Sequence, residues 1–446
     1  MKIAQIYPHS VISVPHADVF DALAIVNYEL GRRLARSNTV VSYPKWVPGQ
    51  AQIEEHEGVT YRRVPQRIDA TINLLRVLDN RVFKPDRPFR LSPLYYAAYA
   101  KRVARDIQER GCEVVHIHSV TNFIPTIRAH NPRARIVLHM HDHSLADFDA
   151  GIVASRLEQA NLIVGCSNFV MDAVRKRFPR LADRCHTLYN GVDERFLGID
   201  SDPATSRNVL FVGRLCPEKG VHVLVDALSK LPRSEDASLS LVGPLDVAPR
   251  EFVDPLGADP LFADLRGYYS DPVSFQNRLV RSVSALRNAT LHGKVLNSDI
   301  GTHYSRAGIF VFPSLWHEPF GIPVIEAMAA GLPVVATRGG ALPEIVVDGE
   351  TGLLVERGDV EGLRAAISRL LRDPQLRARM GAAGRERVRR MFTWDQCVSL
   401  LTELYASAEV SAASPQGLAS SPPSLAVAAP PAAARVVSAG ASVTKA

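Results

Sequence analysis

Residues 316–337 read WHEPFGIPVIEAMAAGLPVVAT, and this stretch decides the fold. A loop carrying Glu318 runs into a short helix carrying Glu326 and then into an apolar strand. Pro323 suits a first-turn position, where its missing N–H would have gone unpaired, and Gly331 with Pro333 just beyond supplies a stop. The pattern predicts a helix over about residues 322–330. Its free amides, near Phe320, Gly321 and Ile322, point back toward the loop, so an electron-rich ligand placed there meets donors and the positive end of the helix dipole.

Working outward, the strand that ends this stretch belongs to a series. NVLFVG (208–213), a helix over 220–230, SLSLVG (238–243), GIFVFP (308–313), LPVVAT (332–337) and GLLV (352–355) alternate strands with helices. Residues 244–290 interrupt the series as an insertion rich in Pro, Asp and Gly, with a weak helical pattern over 273–286. An earlier series does the same: KIAQIY, a helix stepping through Val19, Leu23, Val26, Leu30 and Leu34 with Asp18 as its cap, TVVSY (39–43), a helix over 94–109, EVVHIH (113–118), RIVLHM (135–140), NLIVG (161–165) and a helix over 168–177. Strands alternating with amphipathic helices imply parallel sheets covered on both faces. The fold class is therefore α/β, with two doubly wound, Rossmann-like units: residues 1–200 and 201–391. A helix over 392–408 is expected to pack back on the first unit, and 409–446, rich in Ala, Ser, Pro and Val, reads as a disordered tail. Ligands of such units gather at the carboxyl ends of the strands, in the cleft between them.

The bulk composition excludes several classes. No apolar run approaches the roughly eighteen residues of a membrane span, and KIAQIY at the start leaves no room for a signal peptide, so the expected location is the cytoplasm. Five cysteines stand singly, at 112, 166, 185, 216 and 397, without a C-x-x-C pair, which fits buried reduced thiols. The net charge of +6 comes wholly from residues 1–200, with 27 Lys+Arg against 21 Asp+Glu, the remainder holding 25 of each. Within residues 62–105, eleven cations face only Asp69, Asp79 and Asp86. That segment marks either a solvated face or a peripheral contact with an anionic membrane surface, while no nucleic-acid recognition motif accompanies it.

These residues resemble a known family, the retaining, nucleotide-sugar-dependent glycosyltransferases of family four, which have the two-domain GT-B fold. The similarity is strongest from residue 190 to 392. Glu318 and Glu326, with seven residues between them, match the family's E-x7-E signature; GRLCPEKG (213–220) matches its phosphate-binding pattern; NGVDERF, FPSLWHEPFG and FTWDQ stand in the family's order. The resemblance implies that Arg214 and Lys219, in the loop opened by Gly213, grip the donor diphosphate, where fixed cations stabilise a leaving group gaining charge. It implies that Glu326 contacts the nucleotide ribose, that Glu318 lies near the sugar hydroxyls, and that His141 approaches the donor sugar. Each carboxylate can accept two hydroxyl hydrogen bonds at once.

Other readings of the same residues remain in view. Eight positions of ideal helix would hold the two glutamates about 12 Å apart, beyond the roughly 5 to 9.5 Å of hydrolytic carboxylate pairs, which favours donor binding over hydrolysis. Glu326 could also serve only the dipole of its helix. His116 and His118, and His139, His141 and His143, alternate so as to share faces, a pattern that a metal could use; no carboxylate or thiolate stands at ligand spacing, so no metal or cofactor is expected beyond the donor itself. D-F-D at 147–149 resembles the metal triplet of a different glycosyltransferase fold. The family's Gly-Gly loop after the first strand is absent, leaving His9, Ser10, His16 and Asp18 as acceptor-side residues.

The expected activity is transfer of a sugar, with retained configuration, from a nucleotide-diphosphate sugar to the hydroxyl of a glycan, lipid-linked or small-molecule acceptor. The competing expectation is a nucleotide-sugar-binding protein that has lost transfer.

Overall fold

A computed structural model describes residues 1–8, 22–74, 84, 86–247 and 259–412. The apolar runs become two sheets. The first holds β1 (Lys2–Ile6), β2 (Thr39–Tyr43), β3 (Ile53–His56), β4 (Val59–Arg62), β5 (Val114–His118), β6 (Arg135–Met140), β7 (Leu162–Gly165) and β8 (Cys185–Thr187). Their order across the sheet is β3-β4-β2-β1-β5-β6-β7-β8, parallel except where β3 pairs antiparallel with β4. The second holds β9 (Asn208–Val212), β10 (Ser238–Val242), β11 (Ala289–Gly293), β12 (Ile309–Phe312), β13 (Val334–Thr337) and β14 (Gly352–Val355), in the all-parallel order β11-β10-β9-β12-β13-β14. Central strands such as β5 and β12 are buried at every residue, as helices on both faces of a parallel sheet require.

In both sheets the order in which successive strands are added reverses beside the first strand, between β1 and β5 and between β9 and β12. Such reversal points open a crevice at the strands' carboxyl ends, and the site residues cluster there.

The chain crosses between the two lobes twice, and the crossings are zipped together. Val192 donates its N–H to the Phe392 carbonyl at 2.9 Å, and Val192 bridges Thr393. A Cβ on Gly191 would stand 2.3 Å from the Trp394 nitrogen, so only glycine lets the strands approach this closely. The helix Trp394–Ala412 then opens on a reciprocal cap: Gln396 N–H donates to Thr393 Oγ1, and Thr393 N–H to Gln396 Oε1, each at 3.3 Å. Trp394, Leu401 and Tyr405 bury against Ile3, Leu30, Val114 and Val137 of the first lobe.

Several details differ from the sequence reading. The insertion contains two helices, Pro260–Ser270 and Pro272–Ala285, capped by Asp259 and Asp271, and leads into the edge strand β11. The C-terminal helix runs to Ala412, beyond residue 408. The helix after the basic segment begins at Ala97, because Tyr96 adopts a left-handed conformation. Asp69 does not face the cations: it is buried and accepts the N–H groups of Ala98 and Tyr99 at 3.0 Å, capping that helix from a distance. Partners for the basic residues come instead from Asp106 to Arg62, Glu54 to Arg63 and Asp149 to Arg87. His9, Ser10, His16, Asp18 and residues 413–446 lie outside the described residues. All five cysteines are free and buried.

Candidate active site

The loop over 213–220 follows β9. Cys216 ends the extended chain, Pro217–Lys219 makes one tight turn, and Gly220 caps the helix Val221–Ser229 in a left-handed conformation, φ 67°. A Cβ at Gly220 would stand 2.0 Å from the Pro313 carbonyl oxygen, so glycine brings this loop directly against the loop after β12. That second loop ends at Gly321, which starts the helix Ile322–Ala329 with φ 116°. Among the described residues, the backbone N–H groups of Phe320, Gly321 and Ile322 have no hydrogen-bond acceptor, leaving the donors that the sequence placed there.

Where the loops meet, Lys219 Nζ donates to Glu318 Oε1 at 2.6 Å, and Ser314 Oγ donates to the same oxygen at 2.6 Å. Glu318 is 4% exposed. Its backbone is fixed as well, because Ala341 N–H donates to its carbonyl at 2.8 Å and Gly340 packs where a Cβ would meet Glu318 O at 2.2 Å. Lys219 Nζ also stands 5.5 Å from the centre of the Phe312 ring.

Arg214 donates to Glu218 Oε1 at 3.1 Å, and Tyr269 from the insertion donates to Glu218 Oε2 at 2.6 Å. The Glu218 carbonyl accepts the N–H groups of Leu315 and Trp316. Glu218, absent from the sequence reading, thus orients Arg214 and ties the two loops together. Its only sequence signal was a carboxylate four positions after Arg214 inside a loop of cations.

Glu326 lies apart from this cluster. Its carboxylate accepts the Tyr304 hydroxyl at 2.8 Å and borders a cavity of about 320 Å³ that also receives Arg195, Asn297 and Ile322. Burial dominates its titration and pushes the carboxyl up to about 7, against the lowering effects of Tyr304 and Arg195. The two glutamates of the signature therefore face different neighbours, Glu318 the cations and Glu326 a phenol and a pocket.

His141 follows β6 directly. Its Nε2 is 2.9 Å from His118 Nδ1, and its ring is 4.1 Å from that of His139. Burial pushes it down to about 4, so the imidazole is neutral in ordinary buffers. Across the cleft the lobes touch through aromatic pairs, His143 with Trp316 at 5.9 Å and Phe169 stacked on His317 at 5.7 Å. Glu344 of the second lobe accepts Phe169 N–H at 2.6 Å, Asn168 N–H at 2.8 Å and the Tyr189 hydroxyl at 3.1 Å. D-F-D has a structural use: Asp149 caps the helix Ala150–Leu157 and pairs with Arg87.

One ring nitrogen of each of His116, His118 and His139 lies within 4.8 Å of the other two, the one such convergence of His, Cys, Asp or Glu among the described residues. A cation there would meet imidazoles alone, with no anionic member in the set to offset its charge.

Comparison with known proteins fits this geometry. Residues 23–196 match the family model described as Glycosyltransferase Family 4, and residues 201–387 that described as Glycosyl transferases group 1. The glycogen synthase of Mycobacterium tuberculosis is 30% identical over 264 residues, 58% of this chain and 57% of that protein, so the match spans little more than half of it. The sucrose-phosphate synthase of Thermosynechococcus elongatus superposes with a TM-score of 0.68 at 23% identity, over 93% of this chain and all of that one. Anabaena HepE, solved in complex with UDP-glucose, superposes at 0.63 with 18% identity, covering 91% of this chain and all of its own. With one glycosyltransferase family model matching each lobe and two facing parallel-sheet units, the chain has the GT-B fold.

Proposed function

We propose that the protein is a retaining, metal-independent glycosyltransferase that moves a sugar from a nucleotide-diphosphate sugar to an acceptor hydroxyl, in the assembly of a cell-envelope glycan, exopolysaccharide or glycolipid. The observation that carries the reading is the meeting of Lys219 with Glu318 at 2.6 Å, beside three acceptor-free amides at a helix start. The diphosphate lies along Arg214, Lys219 and the amides of Phe320, Gly321 and Ile322. Glu318 accepts hydroxyls of the sugar, Glu326 accepts the ribose diol, and neutral His141 meets the sugar from the opposite lobe.

In the transfer, the bond from the anomeric carbon to the phosphate oxygen breaks and a bond to the acceptor oxygen forms on the same face. The acceptor proton passes to the departing phosphate oxygen, so no protein nucleophile is required. Arg214 and Lys219 gain interaction energy as charge grows on the leaving group, which makes the contact stronger in the transition state than in the ground state.

The test is incubation with a panel of nucleotide sugars and acceptors, with and without EDTA, for wild type, Glu326→Ala and Lys219→Ala. Product of retained anomeric configuration, formed in EDTA and lost in both variants, is the expected result. Full activity in both variants would overturn the residue assignments; inverted product would overturn retention; donor binding without turnover on any acceptor would leave a binding protein.

A further inference from the structure

We infer that His118 is a positioning residue for His141, and that the C-terminal helix takes part through Tyr405, which holds the imidazole stack from behind. The inference rests on the reading of His141 as the residue that meets the donor sugar. It starts from register: β5 and β6 are parallel, with His118 opposite His139, so the alternating His116, His118, His139 and His141 gather on one side of the sheet.

The contacts are continuous. The Tyr405 hydroxyl is 2.6 Å from His116 Nδ1, His116 Nε2 is 3.1 Å from His139 Nδ1, and His118 Nδ1 is 2.9 Å from His141 Nε2. Ring centres stand 4.6 Å apart for His116 and His118, and 5.2 Å for the stacked His118 and His141. His116, His118 and His139 are wholly inaccessible to solvent.

A core function alone accounts poorly for this arrangement. Their strand neighbours are Val115, Ile117, Leu138 and Met140, and apolar side chains would fill the same space without polar atoms. Instead three ring nitrogens, His118 Nε2, His139 Nε2 and His141 Nδ1, are buried without a partner among the described residues, a cost to stability tolerated where polarity serves a site.

Burial holds all four rings neutral, His116 down to about 3 and His141 to about 4. A neutral imidazole has one N–H, so the bond between His118 and His141 fixes both tautomers together. If His118 Nδ1 accepts, His141 Nδ1 is left as an acceptor; if it donates, His141 Nδ1 carries the proton. His118 thereby decides what His141 offers to a sugar hydroxyl, and fixes the plane of its ring.

The experiment compares kcat, donor KM and melting temperature for wild type, His141→Ala, His118→Leu, His118→Asn, Tyr405→Phe and the double variant His118→Leu/His141→Ala. His118→Leu is expected to lose about 10- to 100-fold in kcat, with donor KM within about twofold and no fall in melting temperature. His118→Asn, which returns a polar atom near the Nδ1 position, recovers most of the loss, Tyr405→Phe shows a smaller decrease, and the double variant is no worse than His141→Ala. Should His118→Leu keep wild-type kcat while His141→Ala loses it, positioning is overturned. Additive losses in the double variant, or a kcat loss that only tracks unfolding, overturn it as well. An unaffected His141→Ala instead overturns the reading of His141 on which the inference rests.

Discussion

Lys219 Nζ and Glu318 Oε1 stand 2.6 Å apart across 99 positions of sequence, with the carboxylate nearly inaccessible and the ammonium about one-fifth exposed. Each neutralises the other, and in the proposed donor complex an incoming diphosphate must share the lysine. Lys219→Met leaves Glu318 buried without its cation, which is expected to cost about 3 kcal/mol of unfolding free energy. Adding Glu318→Gln to that variant should restore at least half of the loss, since no charge is then left alone. Glu318→Gln by itself should bind nucleoside diphosphate several-fold more tightly, because Lys219 is released, yet turn over more slowly. Urea denaturation and calorimetric titration check these outcomes; independent, additive effects of the two substitutions would show that the pair is not coupled.

The strands that build this site were legible because fully buried parallel strands must be continuous apolar runs: NVLFV, IFVF and VVAT each appear as such. Glycines and prolines marked the loop ends for the same local reason. Glu218, Tyr304, Glu344 and Tyr405 were not legible as site residues: Glu218 stands four positions from Arg214, but its tie to Tyr269 comes only with tertiary folding, which alone also brings Tyr304 to Glu326, Glu344 to the start of the helix Asn168–Arg177, and Tyr405 to His116. The histidine alternation was visible, but its convergence depends on the register of β5 against β6. The edge strands β3 and β11 escaped notice because their half-exposed residues carry no apolar run.

Glu326 gives the site a pH dependence with a defined sign. Its folded carboxyl is raised to about 7 from an ordinary value near 4.5, mainly by burial. A raised carboxyl contributes stability that is complete below about pH 4.5 and is lost as pH rises through about 7. Glu326→Gln should therefore gain on the order of 2 kcal/mol over wild type at about pH 8, after allowance for the open cavity, and show no gain at about pH 4.5. In the proposed donor complex ligand binding runs the other way, because there the ionised form accepts the ribose diol. Nucleotide affinity of wild type should fall about tenfold between about pH 8 and about pH 6, while the glutamine variant stays flat. Parallel curves for the two proteins would remove Glu326 as the titrating group.

Glu344 is expected to hold the lobes together in the empty protein. Its carboxylate accepts two backbone N–H groups at the start of the helix Asn168–Arg177, where the dipole favours negative charge, and the Tyr189 hydroxyl besides. Glu344→Ala removes all three contacts between lobes without touching either sheet. Small-angle scattering should then give a larger radius of gyration without nucleotide and a return toward wild type when nucleotide sugar is added. An unchanged radius in the variant would mean that the aromatic pairs and the crossing strands suffice to hold the lobes together.

The basic segment offers its own test, because its cations divide, among the described residues, into those held in ion pairs and those on the exposed helix face. Arg62 is bound to Asp106 and buried Arg63 to Glu54, so their replacement would damage the fold before any surface property could be read. Lys101, Arg102 and Arg105 are exposed on the helix Ala97–Arg110 and line a cleft of about 620 Å³ with those two arginines. If the acceptor is membrane-linked, these three charges provide the approach to an anionic surface, each contributing about 1 kcal/mol at low salt. Replacing all three by glutamate should abolish flotation with vesicles rich in anionic lipid, leave melting temperature within a few degrees of wild type, and leave activity on a soluble acceptor intact. Wild-type binding should also fade as salt rises from about 50 to about 500 mM, because the Debye length shrinks below the distance over which the charges act. Binding that survives both the triple substitution and the salt would assign the membrane contact to another surface; no binding by wild type at low salt would point to a water-soluble acceptor.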